Sequence, residues 1–549
     1  MKKKVVALLL GVVMTVAALA GCGNNAEVSK DKESVASEKT SETKEAESEV
    51  ASETTSESEE IAVDHFAGTE LNIVVQRKTG DTSADFNDKE VIKMVEEATG
   101  IHVNWTILDP TTLNEKLAVM LMSDDQPDAY LGVVDATTLS NNQELFYDLS
   151  EEGLLEKWAP NVVADYNSVE GAWDTITWGD GSIRGLLTGS LVSVPMDWAA
   201  SLLSINQEWL DKIGKPVPPT ADELYEVLVA FRDGDMDGDG DATNEIPLTF
   251  CAGNWEGDIM MHANAFGIGG NYTWQPFNAY KNIEDGKVVS TLDTDNFRAF
   301  LEFYHKLADE GLLDLEGFSQ TADQYSAKRT EKVAGVFTTY ASMLDQGYTP
   351  FVYQGLADVE PRLTGLVNRF VGQRSNLLIT ADSENVEALL HWWNYMSSTT
   401  ELKNIAFRSS VGYEIDANGN VWNVATQNQE EVINALGNCA PAMNAADFPQ
   451  TKEENLAPRA LVRHSFIVEN KDLFNQEGFP IAYNDAAKEE ERAFMEVELF
   501  EYVSAFIADA IVNGVTDASW AKHLEELKTV QYYDWLQWYQ DFVDDVAAR

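Results

Sequence analysis

"TELNIVVQRKTGDTSADFNDKEVIKMVEEATGIHVNWTIL", residues 69–108, carries the reading of the fold. It opens on an apolar run, Leu71 and Ile73 to Val75, with the length and β-branched content of a buried strand. Val91, Ile92, Val95 and Ala98 then recur at helical spacing, and Gly100 stops the run. "IHVNWTIL" reads as a second strand. Strand, helix and strand in this order make the unit of a parallel sheet, because parallel neighbours need a crossover long enough to hold a helix.

The alternation continues. "LNEKLAVMLMSDD" from Leu113 is a predicted helix and "DAYLGVV" from Asp128 a strand. A mainly parallel sheet with helices on its faces is expected, hence an α/β fold. A second set of elements begins near Leu202 with the strand-like "LLSIN". In "PTADELYEVLVAFR", Thr220 and Glu223 have capping-box spacing, and Leu224, Val227, Leu228 and Phe231 form one apolar face. A helix is predicted from Asp295 to Glu310, stopped by Gly311, and another from Val386. Trp209, Trp392 and Trp393 lie in helix-like runs and read as core.

The chain has 549 residues, a 44% hydrophobic fraction and a formal net charge of -54. Its length suggests more than one folded lobe. Its charge makes nucleic acid and anionic lipid poor partners. Lys2 to Lys4 form a basic start, residues 5–18 an apolar run too short for an ordinary spanning helix, and "LAGC" ends at Cys22. This resembles a bacterial lipobox, so residues 1–22 are expected to be a lipoprotein signal peptide, with Cys22 the lipidated residue. Residues 23–65 are rich in Ser and Glu and poor in large apolar side chains, which predicts a disordered tether. Its end-to-end distance would be roughly 35 Å. Cys251 and Cys439 are expected as free thiols.

"FRDGDMDGDGDATNEIPL", residues 231–248, crowds five aspartates into one loop. Alternate carboxylates on a tight turn converge on one point, and a hard cation such as Ca²⁺ wants six to eight oxygens. Asp235, Asp237 and Asp239 before Gly240 have the D-x-D-x-D-G form. Asp241 would add its backbone carbonyl, and Thr243, Asn244 or Glu245 would close the shell. A second register starts at Asp233 and uses Asp235 and Asp237, closing with Asp239, Asp241 and Asn244. The strand-like "NEIPL" follows, so this is no full helix–loop–helix hand, and a structural ion is expected rather than a switch.

"TGIHVNWTIL", "KLAVMLMSDDQPDAYL", "LLSINQEWLDKIGKPVPPTADEL", "NAFGIGGNYTWQPF", "DGKVVSTLDTDNFRAFLEFYHKLADEGLLD" and "KVAGVF" fall in an order that resembles the extracellular solute-binding proteins of bacterial ABC importers. The resemblance covers residues 69–394 and is closest to the lipoproteins related to alginate-binding proteins. Those carry a structural calcium in the equivalent loop. A proline often follows the first aspartate there; Met236 holds that place here, which favours the register beginning at Asp235. "YEIDANGNVW", from Tyr413, resembles the family's later hairpin.

The resemblance implies a two-lobed periplasmic-binding-protein-like fold of type II. A hinge joins discontinuous lobes around a ligand cleft: residues 66–190 plus 333–396, and 191–332 plus 397–549. It implies a monomer that delivers its ligand to ABC permease subunits. In the family layout the contacts come from loops after strands. Candidates are Gln76, Arg77, Asp135, Trp198, Asn254, Trp255, Trp274, Tyr340 and Arg374. Flat aromatics and planar polar groups suit an oligosaccharide. Arg77 and Arg374 would suit uronates, but in so acidic a chain a neutral or mixed oligosaccharide is the expectation. Two alternatives stay open: a lipid-anchored glycan-active enzyme, and a surface sensor or adhesin on the same fold. Against catalysis stand the missing G-x-S-x-G, H-E-x-x-H and P-loop motifs, and seven His in no metal-like spacing.

Overall fold

The 69–108 unit folds as read. Strand β1 (Glu70–Gln76) runs parallel to β2 (His102–Leu108), with the helix Glu90–Thr99 between them and Gly100 ending that helix at a φ of 70°. The computed structural model describes residues 65–549 except 79, 192–197, 242, 271–278, 368–372, 425–428 and 485. The signal peptide with Cys22, the tether up to residue 64, and Trp274 lie outside the described residues. Of Arg374 only the backbone is described.

Strands β3 (Ala129–Leu131), β4 (Leu186–Thr188) and β12 (Gln373–Ile379) complete a five-stranded sheet in the order β2-β1-β3-β12-β4. Pairing of β1 with β3 is parallel, with Val75 opposite Leu131, whereas β12 runs antiparallel to both β3 and β4. A second sheet holds β5 (Leu202–Asn206), β6 (Ile246–Leu248), β9 (Ala334–Thr339) and β10 (Tyr348–Pro350) in the order β10-β5-β9-β6. There β5 opposes β9 and β10, and β6 runs parallel to β9. Each sheet thus has one strand against the rest. The second sheet is therefore less parallel than its local sequence suggests, because pairing across 130 residues leaves no local trace.

One face of β1 is buried through Leu71, Ile73 and Val75, and on the other Val74 is buried while Glu70 and Asn72 are exposed. Ile73 and Val75 join a core with Trp392 and Trp393, and Val74 joins Tyr130 and Leu378 on the other face. Around the second sheet, Ile205, Leu224, Leu228, Phe231 and Leu248 form a core with the C-terminal Val503 and Trp535. Trp209, Trp392 and Trp393 are buried, as read.

The segments divide between the sheets differently from the sequence reading. Strand β9 follows the expected return at residue 333, yet it is hydrogen-bonded to β5 and β6. The chain rejoins the first sheet only at β12. Beyond residue 397, Ile405, Ala406, Leu436 and Ala440 pack in the first core, while Met495 to Phe542 flank the second. Smaller pairs are β7 (Lys281–Glu284) with β8 (Lys287–Ser290), β11 (Leu363–Leu366) with β15 (Phe474–Asn475), and β13 (Tyr413–Ile415) with β14 (Val421–Asn423). The last pair is the hairpin expected in "YEIDANGNVW". No helix among the described residues is long and apolar enough to cross a membrane. Among the described residues, Cys251 and Cys439 are free thiols.

Candidate functional site

Two places gather polar and aromatic side chains. The first is the acidic loop. It leaves the helix Ala221–Asp233, which Thr220 caps by accepting from the Glu223 N–H, and it enters β6. Carboxylate oxygens of Asp235, Asp237 and Asp239 lie within 4.8 Å of one another. The turn is drawn tight from inside. Gly238 and Gly240 donate to the Asp235 carboxylate at 2.7 and 3.2 Å, the Asp239 N–H donates to Asp237, and the Asp241 N–H to Asp239. Gly240 has a φ of 94°, a conformation that costs a side-chain-bearing residue about 1–2 kcal/mol.

The neighbours sort the remaining candidates. Asp233 faces away and forms an ion pair with Arg232 at 2.7 Å, so the converging set is the register that begins at Asp235. The Asp241 carboxylate accepts from the Thr243 N–H and hydroxyl, which commits both side chains. Asn244 donates its amide to Asp239 at 2.8 Å. Glu245 differs: its side chain is buried, with 9% exposure, and Oε1 accepts from the Met236 N–H at 2.5 Å. Its Oε2 is buried without a hydrogen-bond partner. A carboxylate oxygen left unpaired in such a place is costly unless a cation meets it. Three converging carboxylates, Asp235, Asp237 and Asp239, fit the oxygen ligands of a hard divalent cation, and the buried Glu245 follows them in the same loop.

The second place lies at the end of β9. Trp255 is 40% exposed, and its ring centroid stands 6.3 Å from that of Tyr340, tilted by 58°. Under Tyr340 lies Arg463, 0% exposed, its guanidinium 3.7 Å from the ring. Arg463 donates to the Tyr340 carbonyl at 2.7 Å and to the Ala199 carbonyl at 2.6 Å. Glu256, next to Trp255, accepts from the Tyr340 N–H at 2.9 Å and pairs with Arg329 at 3.0 Å. A half-bare aromatic pair on a rigid polar base offers a flat apolar surface to a ligand.

The other candidates scatter. Arg77 is bound to Asp109 at 2.9 Å and to the Ser83 carbonyl at 2.6 Å, so its charge is already matched. Asp135 caps the helix Ala136–Asn141 by accepting from the Thr138 N–H. Asn254 accepts from the N–H groups of Glu256 and Gly257, shaping the turn that carries Trp255. Trp198 packs against Leu202, Leu363 and Phe474, with its indole N–H buried and unpaired. Gln76 ends β1, half-buried. A separate pocket of ≈ 660 Å³ opens between Ser140 and Asn141 on one side and Tyr483, Asn484 and Arg492 on the other. None of the ligand candidates with described side chains lines it.

No family model matches the chain. A fructooligosaccharide ABC transporter substrate-binding protein, FusA of Streptococcus pneumoniae, is 27% identical over 498 residues, covering 85% of this chain and 88% of FusA. Over most of its length the chain is similar to a substrate-binding protein of an ABC transporter. The solved structures carry the same fold. FusA in complex with kestose superposes with a TM-score of 0.68 at 24% identity, over 87% of this chain and all of FusA. An HMO-binding, ABC-transporter-associated solute-binding protein of Bifidobacterium longum infantis gives 0.73 at 18% identity, over 87% of this chain and 99% of its own. The alginate-binding protein AlgQ2, solved without calcium ion, gives 0.56 at 18% identity over 88% and 99%. FusA has also been solved as an EF-hand mutant. Those neighbours are two-domain α/β proteins, and each of the two larger sheets here carries one opposed strand.

Proposed function

We propose that this protein is the lipid-anchored receptor of an ABC importer, and that it binds a neutral or mixed oligosaccharide between its lobes. The observation that carries the ligand class is the Trp255–Tyr340 pair, half-bare at the end of β9. A sugar lays its C–H face on such rings and its hydroxyls on a polar rim. Arg77, matched by Asp109, has little charge to spare for a uronate, which favours a neutral ligand. FusA, whose partner sugar is a fructooligosaccharide, points the same way. The lobes would be centred on the two sheets, with crossings between β4 and β5, between β10 and β12, and between residues 443 and 473. Lipid at Cys22 would hold the receptor beside its permease at high effective concentration.

Asp235, Asp237, Asp239 and Glu245 would hold one Ca²⁺, with the Asp241 backbone carbonyl as a further oxygen. The ion would neutralise repelling carboxylates and fix the turn between helix and β6. It has no part in binding sugar. Calorimetric titration against a panel that includes kestose, milk oligosaccharides and uronates tests the reading. One glycan should bind with a dissociation constant in the micromolar range or tighter, about -8 kcal/mol or better. Binding of peptides or amino acids, with every glycan silent, overturns it.

A further inference from the structure

We infer that Glu256 is the positioning residue of the Trp255–Tyr340 wall. This rests on the reading of that wall as the ligand surface. The two rings come from separate parts of the chain, one in the turn 251–258 and one just past β9. Nothing in either segment by itself sets the distance between them. Glu256 spans the gap. Its Oε1 accepts from the Tyr340 N–H at 2.9 Å and from the Thr339 hydroxyl at 2.8 Å, and its backbone carbonyl accepts from the Thr338 hydroxyl at 2.7 Å. Three consecutive residues at the end of β9 are thus tied to the residue beside Trp255.

The other side of the carboxylate is held as firmly. Arg329 donates to Oε2 at 3.0 Å and lies over the Tyr325 ring at 4.3 Å. The turn has no room to slide against that ring: a Cβ at Gly257 would come within 2.6 Å of Tyr325. Asp258 closes the turn, accepting from Gly253 at 2.6 Å and from Met260 at 2.8 Å. With Glu256 turned inward, Trp255 is carried out toward solvent. Arg463 then fixes the far side, stacked on Tyr340 and bonded to its carbonyl. A wall set before the ligand arrives spares the cost of ordering two loops on binding.

Removing one partner of a buried ion pair strands the other, so single substitutions at Glu256 would confuse folding with function. Two double variants separate them. Glu256→Gln with Arg329→Met keeps an acceptor for the Tyr340 N–H without a stranded charge. Glu256→Leu with Arg329→Met fills the space and keeps none. Kestose affinity, hydrogen exchange at residues 253–257 and 340, and the thermal midpoint are read on both. The Gln variant should hold kestose within about threefold of the parent. The Leu variant should lose at least about tenfold in affinity, and exchange at these amides should quicken by a similar factor, at a midpoint close to that of the Gln variant. Unchanged exchange in the Leu variant overturns the proposal, and so does unchanged affinity when Trp255→Ala alone weakens kestose. If Trp255→Ala leaves kestose affinity intact, the wall is not the ligand surface and this proposal falls, while the oligosaccharide reading stands on the binding itself. The exchange measurement needs no sugar and judges Glu256 by itself.

Discussion

Glu245 and Asp258 are both buried carboxyls, and their surroundings ask opposite things of them. Glu245 ends the loop that carries three converging aspartates and is buried with one oxygen unpaired, which a cation would relieve. Chelation should therefore lower the thermal midpoint, by the linkage equivalent of about 2.7 kcal/mol at a hundredfold excess of ion over dissociation constant. Glu245→Gln keeps an acceptor for the Met236 N–H and gives up the charge, so it should shrink the chelator-sensitive part and little else. An identical midpoint with and without chelator in the parent protein sinks the site. Asp258 has no cation to meet. Burial pushes its carboxyl up to about 6, against the pull of the Met260 and Gly253 N–H groups. A raised folded value favours the neutral form, so its contribution is full below about pH 4 and is lost as pH rises through about 6. The difference in stability between the parent and Asp258→Asn should fall by on the order of 3 kcal/mol across that window, since each unit is worth about 1.36 kcal/mol. Urea titrations at pH 4 and pH 7 measure it, and parallel curves for the two proteins refute it.

Among elements, β9 shows what local sequence cannot carry. The face of helix Ala221–Asp233 was legible: Leu224, Val227, Leu228 and Phe231 recur at helical spacing and all are buried. What that face meets was not. Phe231 lies on Gly335 near the start of β9, where a Cβ would come within 2.6 Å of its ring and 2.9 Å of the Pro247 carbonyl. Gly335→Ala should cost about 1–3 kcal/mol by overpacking, read as a lower thermal midpoint. A neutral substitution would mean that the helix and β6 can both give way. Read forward from "KVAGVF", β9 fits either sheet; only its hydrogen bonds to β5 and β6 assign it. The site divides the same way. The aspartate loop is written within a dozen residues, and Trp255 and Tyr340 follow from the expectation that contacts come after strands. Arg463 lies 123 residues beyond Tyr340 in "PRALVRHSF", where an arginine in a helix reads as surface. Glu256 gave no signal among 92 acidic residues.

At the scale of the whole molecule, the placement of the wall sets the order of events. Trp255, Tyr340, Glu256 and Arg463 all hang on the second sheet, through β9, the turn 251–258 and the contact to Ala199 just before β5. Among these residues none comes from the five-stranded sheet. On the proposed reading a sugar would dock on the second lobe while the lobes stand apart, and the first lobe would then shut over it by a hinge motion. The sugar shifts this equilibrium only as far as it binds the shut form better, so closure must draw on contacts from the first lobe. Two consequences can be told apart by small-angle scattering. Saturating kestose should lower the radius of gyration of the parent protein. Trp255→Ala should need a higher sugar concentration for the same final fall, because it loses a docking contact and keeps the hinge. A radius that stays fixed at saturation would mean that the lobes do not close on this sugar. A smaller final fall in Trp255→Ala at saturation would place the ring in the closing contact itself, and docking and closure would then be one event.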